Sequence, residues 1–179
     1  TGPMKVAAII YSKDESNGID PMLSQLAARL REEGYALAGT VQHNTPDAAN
    51  RCASMLLEDL ATGRMMDVSN PNRPASGGCR LDSTALEDVA GVVASGLERP
   101  VDLVVINRFG KQEILGNGLR AAMEKAVASE IPLLTAVNST HRADWDAFAA
   151  GLADALPPDR DAVERWCRLA LKVGTPSAA

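Results

Sequence analysis

Aromatic side chains are scarce, at 3% of 179 residues. A core built from this sequence must therefore be made of Ala, Val, Leu, Ile and Met. Hydrophobic residues reach 46%, which favours a packed globule over disorder. Cysteine is also scarce. Cys52, Cys79 and Cys167 are widely spaced and form no CxxC pair, which argues against a zinc site. An odd count with no secretion signal points to reduced thiols in a cytoplasmic setting. There is no apolar run of membrane-spanning length. Positive charge is not in excess either. The net charge of −5 argues against broad binding to nucleic acid or to an anionic membrane, while leaving room for a small local basic pocket. Internal repeats and low-complexity tracts are absent.

What is present reads as one domain, a size that suits this length. The expected domain runs over residues 4–173. Thr1-Gly2-Pro3 before Met4 reads as a tag remnant, and 174–179 as a flexible tail. Met4–Tyr11 is a short apolar run that predicts a strand buried on both faces. A polar loop follows. Asp20 is then the expected N-cap of a helix with Pro21 at its first position. Leu23, Leu26, Ala27 and Leu30 give that helix its apolar face, and Gly34 stops it. Tyr35–Gln42 predicts a second strand. Residues 51–68 fit a hairpin turning at Thr62-Gly63. Asn70–Gly78 reads as a loop, and Asp82 or Ser83 caps a helix to Leu97. Val101–Ile106 is the clearest strand. A helix at Gly118–Ser129 and a strand at Ile131–Val137 come next. Two final helices are expected near Ala143–Leu156 and Asp159–Lys172. The Ala-rich helix 118–129 suits either the core or a homo-oligomer interface.

Alternating strands and helices imply a mainly parallel sheet covered on both faces, a three-layer α/β fold. Ligands in such sheets bind beyond the carboxyl ends of the strands. That rule selects the loops 12–20, 107–113 and 138–142. The first carries Lys13, Asn17 and Gly18 but no Gly-Lys-Ser/Thr, so it lacks a working phosphate loop. Asp14, Glu15 and Asp20 also crowd negative charge there. The second, Asn107-Arg108-Phe109-Gly110-Lys111-Gln112-Glu113, carries two cations, two amides and a carboxylate. Arg108 suits an oxyanion through its planar fork. Gly110 permits a sharp turn, and Glu113 is placed to orient Arg108 or Lys111. A third candidate is the helix start at Cys79, Arg80 and Ser83, where backbone N–H groups attract anions. Arg80 beside Cys79 would lower the thiol pKa. His43 and His141 both follow expected strands and reach the same end of the sheet. Trp145 with Phe148, and Trp166 with Leu169 and Val173, read as core packing.

The stretches SNGIDPML (16–23), GTVQH (39–43), GCRLDS (78–83), NRFGKQE (107–113) and IPLLTAV (131–137) occur in this order. Together they resemble a bacterial family of unknown function, over nearly the whole chain from Met4 to Trp166. That family is related to P-loop nucleoside-triphosphatases and is encoded near molybdenum-cofactor and molybdate-transport genes. The chain also looks like a distant relative of the small thermophile-type nucleoside-triphosphatases. Those carry an Asp-Glu pair in a run ending Gly-Lys-Met-Glu. Asn107 and Arg108 stand where that acidic pair would be, while Gly110, Lys111 and Glu113 match the remainder.

The resemblance implies a P-loop nucleoside-triphosphatase-like fold with a degenerate phosphate loop. It also implies a repurposed nucleotide site, because phosphoryl transfer depends on positioning and electrostatics that Asn107 and Arg108 do not supply. The leading expectation is a non-catalytic binder of a small anionic ligand, molybdate or a related oxyanion. The alternative is a divergent phosphohydrolase or transferase using ATP or GTP with Mg. A third reading is a partner for molybdenum-enzyme maturation. Neither nucleic acid nor membrane is expected as a partner.

Overall fold

In this computed structural model the described residues are 5–46, 52–70 and 81–173. The expected tag remnant, the tail, most of the loop from Asn70, and Cys79 with Arg80 lie outside them. The strands are β1 (Val6–Tyr11), β2 (Leu37–Pro46), β3 (Cys52–Asp59), β4 (Met65–Asp67), β5 (Leu103–Ile106), β6 (Leu133–Asn138) and β7 (Ala153–Leu156). The helices are α1 (Ser16–Glu32), α2 (Ser83–Gly96), α3 (Lys111–Ile114), α4 (Arg120–Ala128), α5 (Arg142–Ala149) and α6 (Arg160–Val173).

One sheet joins all seven strands in the order β4-β3-β2-β5-β6-β1-β7. From β2 to β7 every pairing is parallel. The β2–β3 and β3–β4 pairings are antiparallel, so the predicted hairpin over 51–68 forms one margin of the sheet. Its turn uses Gly63 at φ 80, a left-handed conformation that costs glycine little. Gly39 in β2 leaves no room for a side chain against β5. A Cβ on Gly39 (φ 105) would stand 1.9 Å from the Val105 carbonyl oxygen.

Alternation along the buried strands sends side chains to two cores. Ile9, Val41, Val105 and Leu134 pack under α1 and α6. Ala8, Ala38, Ile106 and Leu133 pack under α2, α4 and α5. This is the expected three-layer architecture. Asp82 caps α2, accepting hydrogen bonds from the N–H groups of Thr84 and Ala85.

Three expectations need correction. Asp20 is not an N-cap, because α1 starts earlier, at Ser16. A 3-10 turn over Lys13–Glu15 leads into it, and the Glu15 carboxylate accepts hydrogen bonds from both the N–H and the hydroxyl of Ser12. Pro21 therefore sits inside the helix, at the cost of one backbone hydrogen bond. The helix expected over 143–156 ends at Ala149. Ala150 (φ 50) and Gly151 (φ 77) take left-handed conformations, and Ala153–Leu156 then pairs with Val6–Ile9 as a strand. His43 does not follow β2 but lies within it, opposite Leu56.

Candidate functional site

The carboxyl ends of β5 and β2 carry the polar groups. On β2, Thr40, Gln42 and Asn44 are alternate residues and so share a face. The Thr40 hydroxyl donates to Asn107 Oδ1 at 2.7 Å. Asn107 Nδ2 donates to Gln42 Oε1 at 3.1 Å, and Gln42 Nε2 donates to Asn44 Oδ1 at 2.9 Å. A continuous neutral chain of hydroxyl and amides thus runs along the end of the sheet. Asn107 is buried within it.

Arg108 turns towards α1. Its Nη1 donates to the Asn107 carbonyl at 2.7 Å and stands 3.0 Å from Asp20 Oδ1. The guanidinium also lies 5.0 Å from the centre of the Tyr11 ring. The contact with Asp20 is an ion pair without hydrogen-bond alignment, and Oδ1 has no other donor. Burial raises the Asp20 pKa, while Arg108 and His43 pull it back down. His43 in turn meets Glu58 across the hairpin at 3.0 Å.

Phe109 anchors the loop. It is buried against Trp145 and Phe148, with ring centres 5.1 and 5.2 Å away. Trp145 is buried and Phe148 packs beside it, as expected. After Phe109 the chain folds around a carboxylate. Glu113 accepts from the Gly110 N–H at 2.9 Å and from the Leu119 N–H at 3.0 Å. It is only 4% exposed, so it is a buried clamp for the loop. The expected orienting role for Arg108 or Lys111 is not seen: the partners of Glu113 are backbone N–H groups, and Arg108 meets Asp20 instead. Burial raises the Glu113 pKa, the two N–H donors oppose this, and the nearby Glu87 adds to the rise. Gly118 (φ 60) makes the close approach possible, since a Cβ there would lie 2.1 Å from Glu113 Oε2.

A cavity of about 320 Å³ opens between this loop and the hairpin. Gln42, Asn107, Arg108, Lys111 and Gln112 form its polar side. Met55, Leu57, Val68, Leu81, Leu86 and Leu119 form an apolar wall. Lys111 is exposed at the start of α3 and makes no ion pair among the described residues.

Six of the residues expected at the site line this cavity: Asn107, Arg108, Gly110, Lys111, Gln112 and Glu113. Lys13, Asn17 and Gly18 are exposed at the entry to α1 and do not line it. Ser83 is exposed at the first position of α2, where the carboxylate of Asp82 already occupies the backbone donors. Gln42 and the apolar wall escaped the sequence reading. The alternation of Thr40 and Gln42 in the GTVQH stretch was the available signal.

The architecture defines the class: a P-loop nucleoside-triphosphatase-like α/β fold, here without a Gly-Lys-Ser/Thr run after β1. The fold is similar to that of THEP1 from the hyperthermophile Aquifex aeolicus, with a TM-score of 0.58 at 12% identity, over 89% of this chain and 95% of that one. The chain belongs to the family described as protein of unknown function DUF2478, which matches residues 6–166. It is also 37% identical over 166 residues to the molybdenum import ATP-binding protein ModC 2 of Bradyrhizobium diazoefficiens. That match spans 93% of this chain and 18% of the relative's length.

A magnesium–triphosphate does not suit the residues at this end of the sheet. No Gly-Lys-Ser/Thr follows β1. The residue after β5 is the neutral Asn107, its amide oxygen accepting from Thr40. Arg108 follows it as a cation and already draws on Asp20. Among the described residues no three His, Cys, Asp or Glu side chains converge as a metal site, and no helix is long and apolar enough to cross a membrane.

Proposed function

We propose that this protein is a non-catalytic binder of a small anion, acting in molybdenum metabolism, with molybdate or a related oxyanion as the anionic group. The observation that carries this reading is the presence of two cations, Arg108 and Lys111, among the residues lining the cavity, where the lining carboxylate of Glu113 is engaged by the backbone N–H groups of Gly110 and Leu119. Arg108 offers a forked donor set suited to an oxyanion, and Lys111 offers a mobile point charge at the rim. Gln112 and the second N–H of Asn107 add neutral donors. The relationship to a molybdenum import protein supports the choice of oxyanion.

The second reading is a divergent nucleotide-binding phosphohydrolase or transferase using ATP or GTP with Mg. The fold and the ATP-binding name of the relative favour it. The missing phosphate-loop lysine and acidic pair weigh against turnover.

Thermal shifts with molybdate, tungstate, sulfate, phosphate and Mg–ATP separate the readings. A ligand at about 100 times its Kd adds about 2.7 kcal/mol, equivalent to about 5–10 °C for a domain this size. Shifts with molybdate and tungstate that vanish in Lys111→Ala and Arg108→Ala support the oxyanion binder. Lys111 is exposed, so its variant keeps the fold intact. A shift with Mg–ATP alone, accompanied by phosphate release, would replace it with the enzyme reading. No shift with any of the five would overturn both and leave a maturation partner as the remaining role.

A further inference from the structure

The oxygens on the polar side of the cavity are already engaged. Asn107 Oδ1 accepts from Thr40, and Gln42 Oε1 accepts from Asn107. The two Glu113 oxygens accept from the Gly110 and Leu119 N–H groups, and that side chain is buried. The loop backbone follows the same pattern. The carbonyl of Asn107 accepts from Arg108. Those of Gly110, Lys111, Gln112 and Glu113 accept from the N–H groups of Ile114, Leu115, Asn117 and Gly116.

The hydrogens are not engaged to the same extent. Arg108 commits Nη1 to the Asn107 carbonyl and to Asp20, so Nε and Nη2 have no partner among the described residues. Lys111 is exposed and Gln112 half-buried. Gln42 Nε2 spends one hydrogen on Asn44 and keeps the other. The Gln112 amide has no partner among the described residues and is free to turn its NH2 towards an anion. Asp20, whose Oδ1 accepts no hydrogen bond, lies on the α1 side of Arg108 and outside the cavity lining. A ligand in the cavity therefore meets donors, two of them cationic, and no available carboxylate.

That polarity separates two kinds of tetrahedral dianion. Molybdate, tungstate and sulfate carry no proton near neutral pH, so all four oxygens accept. Hydrogen phosphate and hydrogen arsenate have the same charge but carry one hydroxyl. That hydroxyl needs an acceptor and must turn away from a donor, which forfeits one contact. We propose that the cavity selects fully deprotonated tetrahedral dianions over protonated ones of equal charge, with Gln42, Arg108, Lys111 and Gln112 as the contacts. Asn107 and Glu113 are positioning residues. Asn107 keeps the Gln42 oxygen turned to itself, and the two N–H groups on Glu113 keep its carboxylate from serving as the missing acceptor. This rests on the anion-binding reading of Arg108 and Lys111 and deepens it, by naming the property of the ion that the site reads.

Calorimetric titration at about pH 8 with two pairs of ions tests it: sulfate against phosphate, and molybdate against arsenate. Within each pair the ions are similar in size and equal in charge, so the difference isolates the proton. The expected result is that the proton-free member binds at least about tenfold more tightly, equivalent to about 1.4 kcal/mol. Gln112→Glu places an acceptor on the lining and leaves the buried network alone. It should weaken sulfate and molybdate more than their partners and so bring the paired affinities together. Gln112→Ala removes a donor without adding an acceptor and should leave a clear preference. Lys111→Ala should weaken all four ions. Equal affinities, or a reversed order, within a pair that binds would overturn the selection and leave the anion reading standing. A preference that Gln112→Glu leaves untouched would place the discrimination elsewhere and also overturn it. Failure of all four ions to bind would bring down both readings.

Discussion

Replacing Glu113 by alanine leaves the Gly110 and Leu119 N–H groups without their acceptor in a buried setting. Those bonds are 2.9 and 3.0 Å long, and the side chain is only 4% exposed. Each unsatisfied buried donor costs about 1–3 kcal/mol, so the expected loss for Glu113→Ala is about 2–6 kcal/mol. That is a large share of the roughly 5–15 kcal/mol that holds a domain folded. Glu113→Gln is the informative partner. Its amide oxygen satisfies one N–H, but its NH2 group faces the other donor, so the expected loss is about 1–3 kcal/mol.

Urea unfolding followed by tryptophan fluorescence reads both losses, with Trp145 and Trp166 as reporters. The pH dependence gives a separate check. Burial lifts the folded carboxyl above its ordinary 4.5, so the folded state holds that proton longer than the unfolded chain. The stability tied to this proton is complete below about pH 4.5 and is lost as pH rises through the folded value. Glu113→Gln removes that loss, so its stability should fall less steeply than the wild type above pH 4.5. A Glu113→Ala penalty below about 1 kcal/mol would show that the loop finds other acceptors, and would refute the clamp.

Asp20→Asn should strengthen anion binding, because it frees Arg108 from a competing carboxylate 3.0 Å away; calorimetry with molybdate would show it. The Asp20 pKa is raised by burial despite Arg108 and His43, so its stabilising contribution is present below about 3.8 and fades as pH rises. The variant should therefore be at least as stable as the wild type at pH 7, and a lower melting temperature there would contradict this. Gly39→Ala should destabilise by more than about 3 kcal/mol, or prevent folding, since its Cβ would collide with the Val105 carbonyl at a strained φ. Soluble protein with an unchanged melting temperature would refute that. Burial pushes the Cys167 thiol up to about 12, so it should stay unmodified by a thiol reagent at pH 8 until urea unfolds the chain. Labelling under native conditions would count against its burial.

Much of the fold was legible because buried parallel strands are written as apolar runs. VDLVVI and IPLLTAV could only be strands, and Thr62-Gly63 marked the hairpin. The misread elements share a cause, in that tertiary pairing overrode local signals. Asp20-Pro21 has the form of a helix start, but the Ser12–Glu15 turn began α1 a full turn earlier. Ala153–Leu156 is too short to announce itself, and it is a strand because β1 offers it an edge. At the site, the polar run 107–113 was visible as a block, yet its internal division was not. Phe109 faces the aromatic cluster, Glu113 the loop backbone, and Lys111 the solvent. The apolar wall was hidden for another reason, since Met55, Leu57, Val68, Leu86 and Leu119 come from four separate segments.

Those segments differ in how they are held. The polar loop leaves the middle of the sheet, where β5 has neighbours on both sides and Phe109 locks it down. Much of the wall stands on β3 and the residues after β4, next to a margin formed by the three-residue edge strand β4. Hydrogen exchange should be slow under the first and faster under the second. Natural variation can therefore reshape the hairpin without disturbing the residues that hold the charge. Within this family, the shape of the cavity would then diverge at 52–70 and 81–86 before its charge diverges at 107–113.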